Sequence, residues 1–359
     1  MHGTLGNFVE RHIQAISAHH QCTVVYIVRD HKMMRKHEIV ERINNGVREI
    51  ICYYKKRGQI GCGYFKAFNH VMNELLEKDI KKFDLTHVHV LYKGGIIALQ
   101  LKNKYKIPFI ITEHWNGYHR NGGREIGPLQ RTLSKRVAKH ASAIVPVSEH
   151  LAKAMADYGL NSRYEVVPNV VNSELFKPTD KVKEFTFVHV SSLLDEHKNV
   201  SGIIRAFKAV SEKYPVNLNI IGDGNIAPYL MLTKELGLDP NRISISGEKT
   251  LKQVADYVSQ AHCLILFSNY ENQPCVIPEA HACGLPVIAT DVGGISEHLT
   301  PSHGQLIPAA DHSALVDAMT FVYSNYDSYN SEELRTYSVN HFSQEAISKA
   351  YSSIYHSIN

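Results

Sequence analysis

Residues 268–297 read SNYENQPCVIPEAHACGLPVIATDVGGISE, and the alternation inside them decides how the rest of the chain is read. HCLILFS (262–268) leads in as an apolar run of strand length, and LPVIATD (285–291) leads out as another. Between them a loop carries Glu271, and a short helical stretch around 275–283 carries Glu279 before Gly284 stops it. Two buried strands joined by a helix make a βαβ unit, with parallel strands and the loop at their carboxyl ends. The helix N-terminus near Asn272–Val276 turns unpaired N–H donors and a positive dipole end toward an anion. A carboxylate in the preceding loop can accept hydrogen bonds from sugar hydroxyls, and one two turns into the helix can grip a ribose diol. Taken alone, the E-x7-E spacing describes a helix with two solvated acids more readily than a sugar site.

The same alternation continues outward. FTFVHVSS (185–192), VNLNIIGDG (216–224) and RISISG (242–247) are further strands, with helices at 199–213, 226–237 and 250–260. VVPNVVNSELFKPTDKVKE (166–184) is a polar, proline-bearing connector. Before it, CTVVYIV (22–28), EIICYY (49–54), THVHVLY (86–92), PFIITEH (108–114) and SAIVPVS (142–148) read as strands. Helical spacing falls between them at 63–78, 95–105 and 124–141. The expected architecture is α/β: two doubly wound Rossmann-like domains, 1–170 and 171–340, with parallel sheets facing a cleft. Residues 341–359 predict a helix capped by Ser343, with Ile347, Tyr351, Ile354 and Ile358 along one side, packing back toward the first domain.

A chain of 359 residues, 44% hydrophobic and 21% charged, is ordinary for a globular protein with two cores. No apolar run approaches the ~18–20 residues of a membrane helix, and no hydrophobic leader opens the sequence. Six cysteines without a CxxC pair read as reduced thiols, so the expected location is cytoplasmic. Charge is uneven. Residues 1–180 hold 27 Lys and Arg against 16 Asp and Glu, whereas residues 181–359 hold 12 against 19. That predicts an anionic partner for the first domain, such as a phosphate-bearing substrate or peripheral contact with the inner face of a membrane. Nucleic acid is not expected, because the basic residues lack interleaved aromatics or a recognition motif.

The run EAHACGLPVIATDVGGISE, from Glu279 to Glu297, resembles the signature of the family 4 retaining glycosyltransferases of the GT-B fold. That signature is E-x7-E followed by A-x-A-C-G-x-P-V-I-A-T-x-x-G-G-x-x-E. GNFVERHIQAI, TEHWNG, VVPNVV and IIGDGN extend the resemblance from residue 3 to beyond residue 320. It implies that Glu279 holds the ribose of a nucleotide-sugar donor and that Glu271 contacts hydroxyls of the transferred hexose. The backbone of Asn272, Gln273, Pro274 and Cys275 would line the sugar and diphosphate, and Lys198 in LLDEHKNV would pair with the diphosphate. His114 would lie near the reacting carbon and the acceptor. Gly222, Asp223 and Gly224 would form a strand-end turn at the cleft, and Gly3 and Gly6 a loop near donor phosphate and acceptor. The implied reaction transfers a hexose, with retention, to a hydroxyl of a glycan or lipid-linked glycan in surface polysaccharide or glycolipid biosynthesis. It implies no metal and no cofactor beyond the nucleotide-sugar substrate.

The chain also departs from the pattern. Ser192 stands where the family has an arginine on the diphosphate, which leaves that charge to Lys198, to helix N-termini or to Arg205. Asn272-Gln273-Pro274-Cys275 replaces the usual Gly-Phe-Gly-Leu, and Val170 replaces a hinge glycine. Two other readings therefore stay open: a non-catalytic nucleotide-sugar binder, and a nucleotide-sugar 2-epimerase of the same fold. His87 and His89 alternate on one strand and share a face, but no acidic D-x-D motif accompanies them. The opening MHGTLGNFVERHIQAI runs a glycine loop into an amphipathic helix with no strand ahead of it, so the first domain is expected to lack its N-terminal strand. The natural reading frame is then expected to start ~15–25 residues earlier, or the first domain to be compromised.

Overall fold

The computed structural model describes residues 7–32, 35–55, 62–118 and 126–358. The chain forms two compact units. One comprises Met1–Val147, Ala152–Val167 and Ile347–Asn359, and the other Ser148–Leu151 and Pro168–Ala346. In chain order the elements up to the connector are α1 (Asn7–Ser17), β1 (Thr23–Arg29), β2 (His37–Asn44), β3 (Val47–Tyr54), α2 (Cys62–Val71), β4 (Thr86–His89), α3 (Gly94–Tyr105), β5 (Phe109–Glu113), α4 (Pro128–His140), β6 (Ala143–Pro146) and α5 (Glu149–Asp157).

The strands of the first unit form two three-stranded sheets, β1–β3–β2 and β4–β5–β6. Sequence periodicity predicts parallel sheets and assigns no strand to 37–44. The structure corrects both points, because β2 is a strand and pairs antiparallel with β3. The turn explains it: Asn45 and Gly46 adopt φ of +48° and +79°, the left-handed pair that closes a two-residue hairpin between Asn44 and Val47. The charged run His37–Arg42 hides this strand from an apolar-run reading, since five of its eight residues are exposed. Among the described residues no strand precedes α1. Among the described residues β1 and β4 are edge strands of their sheets.

The second unit continues with β7 (Phe185–Ser192), α6 (Asp195–Lys198), α7 (Val200–Ser211), β8 (Val216–Asp223), α8 (Ala227–Glu235), β9 (Ile243–Ser246), α9 (Leu251–Gln260), β10 (Cys263–Leu266), α10 (Val276–Ala282), β11 (Val287–Thr290), β12 (Gly304–Ile307), α11 (His312–Ser324) and α12 (Ser331–Phe342). Its six strands form one parallel sheet in the order β12–β11–β10–β7–β8–β9. Central strands β10 and β11 are buried at every position, as strands covered on both faces must be. One core joins α7, α8 and α11 through Phe207, Tyr229 and Met319; the other joins α9 and α10 through Ala255, Val258 and Ala280. Helix starts follow local chemistry. Thr250 and Gln253 form a reciprocal capping box, Asp311 accepts from Ala314 N, and Asn330 accepts from Glu332 N and Glu333 N.

The last helix, α13 (Gln344–His356), starts where Ser343 Oγ accepts Ala346 N at 3.2 Å. Its buried residues include Ile347, Tyr351 and Ile354. From Ile347 on it belongs to the first unit, where Tyr351 Oη bonds Thr112 Oγ1 at 2.8 Å and Tyr355 Oη bonds His87 Nδ1 at 2.7 Å.

Candidate functional site

In the second unit the carboxyl ends of β7 and β8 lie side by side, Ser191 level with Gly222 and Ser192 level with Asp223. Gly222 is needed for that approach: a Cβ there would stand 1.9 Å from Ser191 O. Gly224 then turns the chain with φ +123°, and Leu193 N closes the turn on Asp223 O at 2.7 Å. Beneath Ser191 lies His189, fully buried on β7. Its Nδ1–H donates to Ile265 O at 2.8 Å, leaving Nε2 to accept from Ser191 Oγ at 2.7 Å. Burial lowers its pKa to about 4, so the ring is neutral.

After β7 the chain forms one turn of helix, α6, and Asn199 in the left-handed region separates it from α7. Asp195 fixes this corner by accepting from Ser201 N at 2.8 Å and Ser201 Oγ at 2.7 Å. The corner aims Lys198 at Glu271, and the ammonium and carboxylate pair directly. Side-chain exposures of 17% and 9% make this a partly buried pair, with Ser268 Oγ donating a further bond to the same carboxylate oxygen at 2.8 Å. Asn269 binds the two segments together through its N to His197 O at 2.8 Å and its Nδ2 to Glu196 O at 2.9 Å.

The loop 271–275 is held over its whole length. Gly294 N donates to Asn272 O at 2.8 Å, and a Cβ on Gly293 (φ +63°) would stand 2.0 Å from Glu271 O. Gln273 Oε1 accepts from Asn169 N at 2.6 Å, while Asn169 Nδ2 donates to Gln273 O at 2.9 Å. Both side chains are buried, so this reciprocal clamp is shielded from water. Cys275 then occupies the N-cap position of α10, and Pro274 and Cys275 are half-buried. Glu279 sits in the first turn of α10 with its N bonded to Cys275 O at 3.1 Å, and its side chain is 4% exposed. Gly284 ends the helix at φ +73°, where a Cβ would strike Ser331 Oγ at 1.8 Å.

Lys198, Glu271, Asn272, Gln273, Pro274, Cys275, Glu279, Ser192, Gly222, Asp223 and Gly224 thus all belong to the second unit, and Lys198 touches Glu271. His114 belongs to the first unit, and Gly3 and Gly6 lie outside the described residues. His114 follows β5, half-buried, with its ring 4.2 Å from Phe8 and 5.3 Å from His12. Its loop is pinned by Glu113, which is fully buried. Oε1 accepts from the N–H groups of His114 and Trp115, both at 2.9 Å, and Oε2 from Leu91 N at 3.0 Å and Tyr118 Oη at 3.3 Å. Burial raises the Glu113 pKa, and these four donors oppose the rise. His87 bonds Thr112 Oγ1 through Nε2 at 2.6 Å, and Tyr355 Oη through Nδ1. Among the described residues no three His, Cys, Asp or Glu side chains converge as metal ligands.

Sequence reasoning singles out TEHWNG and VVPNVV without giving Glu113 or Asn169 a role, and it misses Ser268 and His189 as supports. The signal is present for Glu113, a carboxylate closing an apolar strand, where burial demands several donors.

Two family models match the chain in tandem: Glycosyltransferase Family 4 over residues 5–175, and Glycosyl transferases group 1 over residues 184–325. An uncharacterized glycosyltransferase of Methanocaldococcus jannaschii is 27% identical over 254 residues, covering 68% of this chain and 67% of the relative. Among solved structures, the sucrose-phosphate synthase of Thermosynechococcus elongatus superposes with a TM-score of 0.79 at 19% identity, over 99% of this chain and 94% of that one. Anabaena HepE in complex with UDP-glucose superposes at 0.68 with 16% identity, covering 86% of each chain. The matched segments meet at the connector between the units, and the signature they share with the family runs through the loop that Lys198, Ser268 and Asn169 hold in place. This chain is a glycosyltransferase of family 4, with the GT-B fold.

Proposed function

We propose that the chain transfers a hexose from a nucleotide-sugar to a hydroxyl of a glycan or lipid-linked glycan, with retention at the anomeric carbon and without a bound metal or further cofactor. The observation that carries this reading is the Lys198–Glu271 pair, partly buried at the loop that leads into α10 and the buried Glu279. A donor lying along this loop divides the pair's bonding: diphosphate oxygens take the Nζ donors, and hexose hydroxyls take the carboxylate. Glu279 then serves the ribose, and the backbone of 272–275 the sugar and diphosphate.

The acceptor hydroxyl attacks the anomeric carbon on the face from which the diphosphate leaves. The carbon–oxygen bond to the diphosphate breaks, and the acceptor's proton passes to the departing diphosphate oxygen. Catalysis then rests on positioning and on stabilising the leaving diphosphate, with Lys198 supplying the positive charge that Ser192 does not. His114 is assigned to the acceptor side of the reacting carbon. HepE, crystallised with UDP-glucose, supports a nucleotide-sugar as donor.

The test is a calorimetric screen of UDP-, GDP- and ADP-sugars, repeated with Glu279→Ala and Lys198→Ala, followed by NMR of the product's anomeric configuration with and without chelator. The expected result is donor binding lost in both variants, a retained anomer and no effect of chelator. Equal donor binding by both variants would remove the donor-site assignment. Ser192 in place of an arginine favours a second reading, a nucleotide-sugar binder without turnover, and donor binding with no product across a broad acceptor panel would select it.

A further inference from the structure

The carboxyl end of β7 carries Ser191 and Ser192, and it is Ser192 that stands where the family has an arginine. His189 shares a strand face with Ser191 and is fully buried. Its two ring nitrogens meet different partners. A carbonyl oxygen only accepts, so Nδ1 carries a proton for Ile265 O at 2.8 Å. Nε2 lies 2.7 Å from Ser191 Oγ, and that bond can run in either direction. In the neutral ring Nε2 accepts, which spends the hydroxyl proton of Ser191 on the imidazole. Ser191 then offers a ligand only lone pairs, and these repel phosphate oxygens. In the protonated ring Nε2–H donates instead. The hydroxyl proton is released toward Ser192 O, 3.0 Å away, or toward an anion at the strand end.

The charged and titratable groups around this strand end are placed as follows. Lys198 closes α6 and pairs with Glu271. Asp223 of β8 is level with Ser192 and exposed, and Asp195 is engaged by Ser201 at the start of α7. Tyr229 of α8 donates to Leu193 O at 3.1 Å, and on β10 the buried Cys263 has its thiol pushed up by burial. Burial is the main cause that keeps the His189 ring neutral; the bond to Ile265 O opposes it, and the Lys198 ammonium reinforces it. A diphosphate seated on Lys198 screens that ammonium and adds an attraction for positive charge.

We propose that His189 takes up a proton from solvent when the nucleotide-sugar binds, so that Ser191 and the imidazolium beneath it give the diphosphate the hydrogen bond and positive charge that Ser192 does not. The ring acts through the Ser191 hydroxyl, which makes His189 a positioning residue. This inference rests on the donor reading above and adds a proton to it, because a neutral His189 leaves the Ser191 hydroxyl pointing away from an anion.

The experiment is calorimetry of the full chain with UDP-, GDP- and ADP-glucose in buffers of different ionisation enthalpy. These diphosphate diesters do not titrate near neutral pH, so the ligand itself takes up no proton. A rise of the ring from about 4 to about 6 on binding predicts uptake of about half a proton per donor at pH ~6. It also predicts about fourfold tighter binding at pH ~5.5 than at pH ~7.5, since proton and donor must favour each other equally. His189→Gln keeps a donor and an acceptor but cannot be charged, and it should abolish both the uptake and the pH dependence. Ser191→Ala should lose affinity mainly at pH ~5.5. Circular dichroism establishes that each protein is folded at both pH values. Donor binding by wild type without proton uptake overturns the inference and leaves the donor reading standing, whereas no binding of any nucleotide-sugar overturns both. Full uptake retained in His189→Gln assigns the proton to Glu271 and overturns the inference, as does Ser191→Ala that binds like wild type at both pH values.

Discussion

At the residue scale, the loop 271–275 depends on side chains that are costly to leave unpartnered. Removing one member of the Lys198–Glu271 pair strands a charge at 17% or 9% exposure. Lys198→Ala is therefore expected to destabilise the second unit by about 1–3 kcal/mol in urea titration, with Lys198→Ala/Glu271→Ala recovering most of that loss. Both proteins should lack donor binding, which separates the pair's structural contribution from its assigned role in function. Gly222 presents a steric case. A Cβ placed 1.9 Å from Ser191 O forces the ends of β7 and β8 apart, so Gly222→Ala should cost more than about 2 kcal/mol by the same titration. That Lys198 and Glu271 fall close together was legible through the family resemblance, which rests on a run of sequence in fixed order. Asn169 and Ser268 were not, because their partners Gln273 and Glu271 are chosen by the folded backbone.

At the element scale, the hairpin and the capped helices are local decisions. Gly46 has nothing within 4 Å of an added Cβ, so Gly46→Ala tests backbone strain alone at φ +79°. It should cost about 1 kcal/mol, read from the unfolding midpoint of the first unit. Thr250→Ala removes one half of the capping box at α9 and should cost about 1 kcal/mol in the second unit. Asn45-Gly46 was available in the sequence as a hairpin signal, yet β2 escaped an apolar-run search because charged residues populate it. α13 was the reverse case: Ser343 and the spacing of Ile347, Tyr351 and Ile354 are enough by themselves to announce the helix and its buried side.

At the scale of the whole molecule, buried histidines set the response to acid. Burial lowers the pKa of His87 and of His281 to about 3 and that of His189 to about 4; His89 is also pushed well down. Each folded pKa lies below the ordinary value of 6.5, so the unfolded chain binds more protons between the two. Stability from these neutral rings is complete above pH ~6.5 and is lost as pH falls toward ~4–3, at about 1.4 kcal/mol per pH unit for each group. Urea titrations from pH 7.5 down to 4.5 should show this slope in both units, since His87 lies in the first and His189 and His281 in the second. His281→Leu should flatten the second unit's slope by one proton's worth, and an unchanged slope would assign the acid sensitivity elsewhere. The sequence by itself determined the alternation of strands and helices and the family signature, because these rest on periodicity, chain order and short spacings. Only the tertiary structure decided the antiparallel β2, the split of the first unit's strands into two sheets, the Asn169–Gln273 clamp and the burial of the histidines. Those depend on which distant segments share a strand edge or a dry interior, and pairing and desolvation are properties of contacts that chain order does not encode.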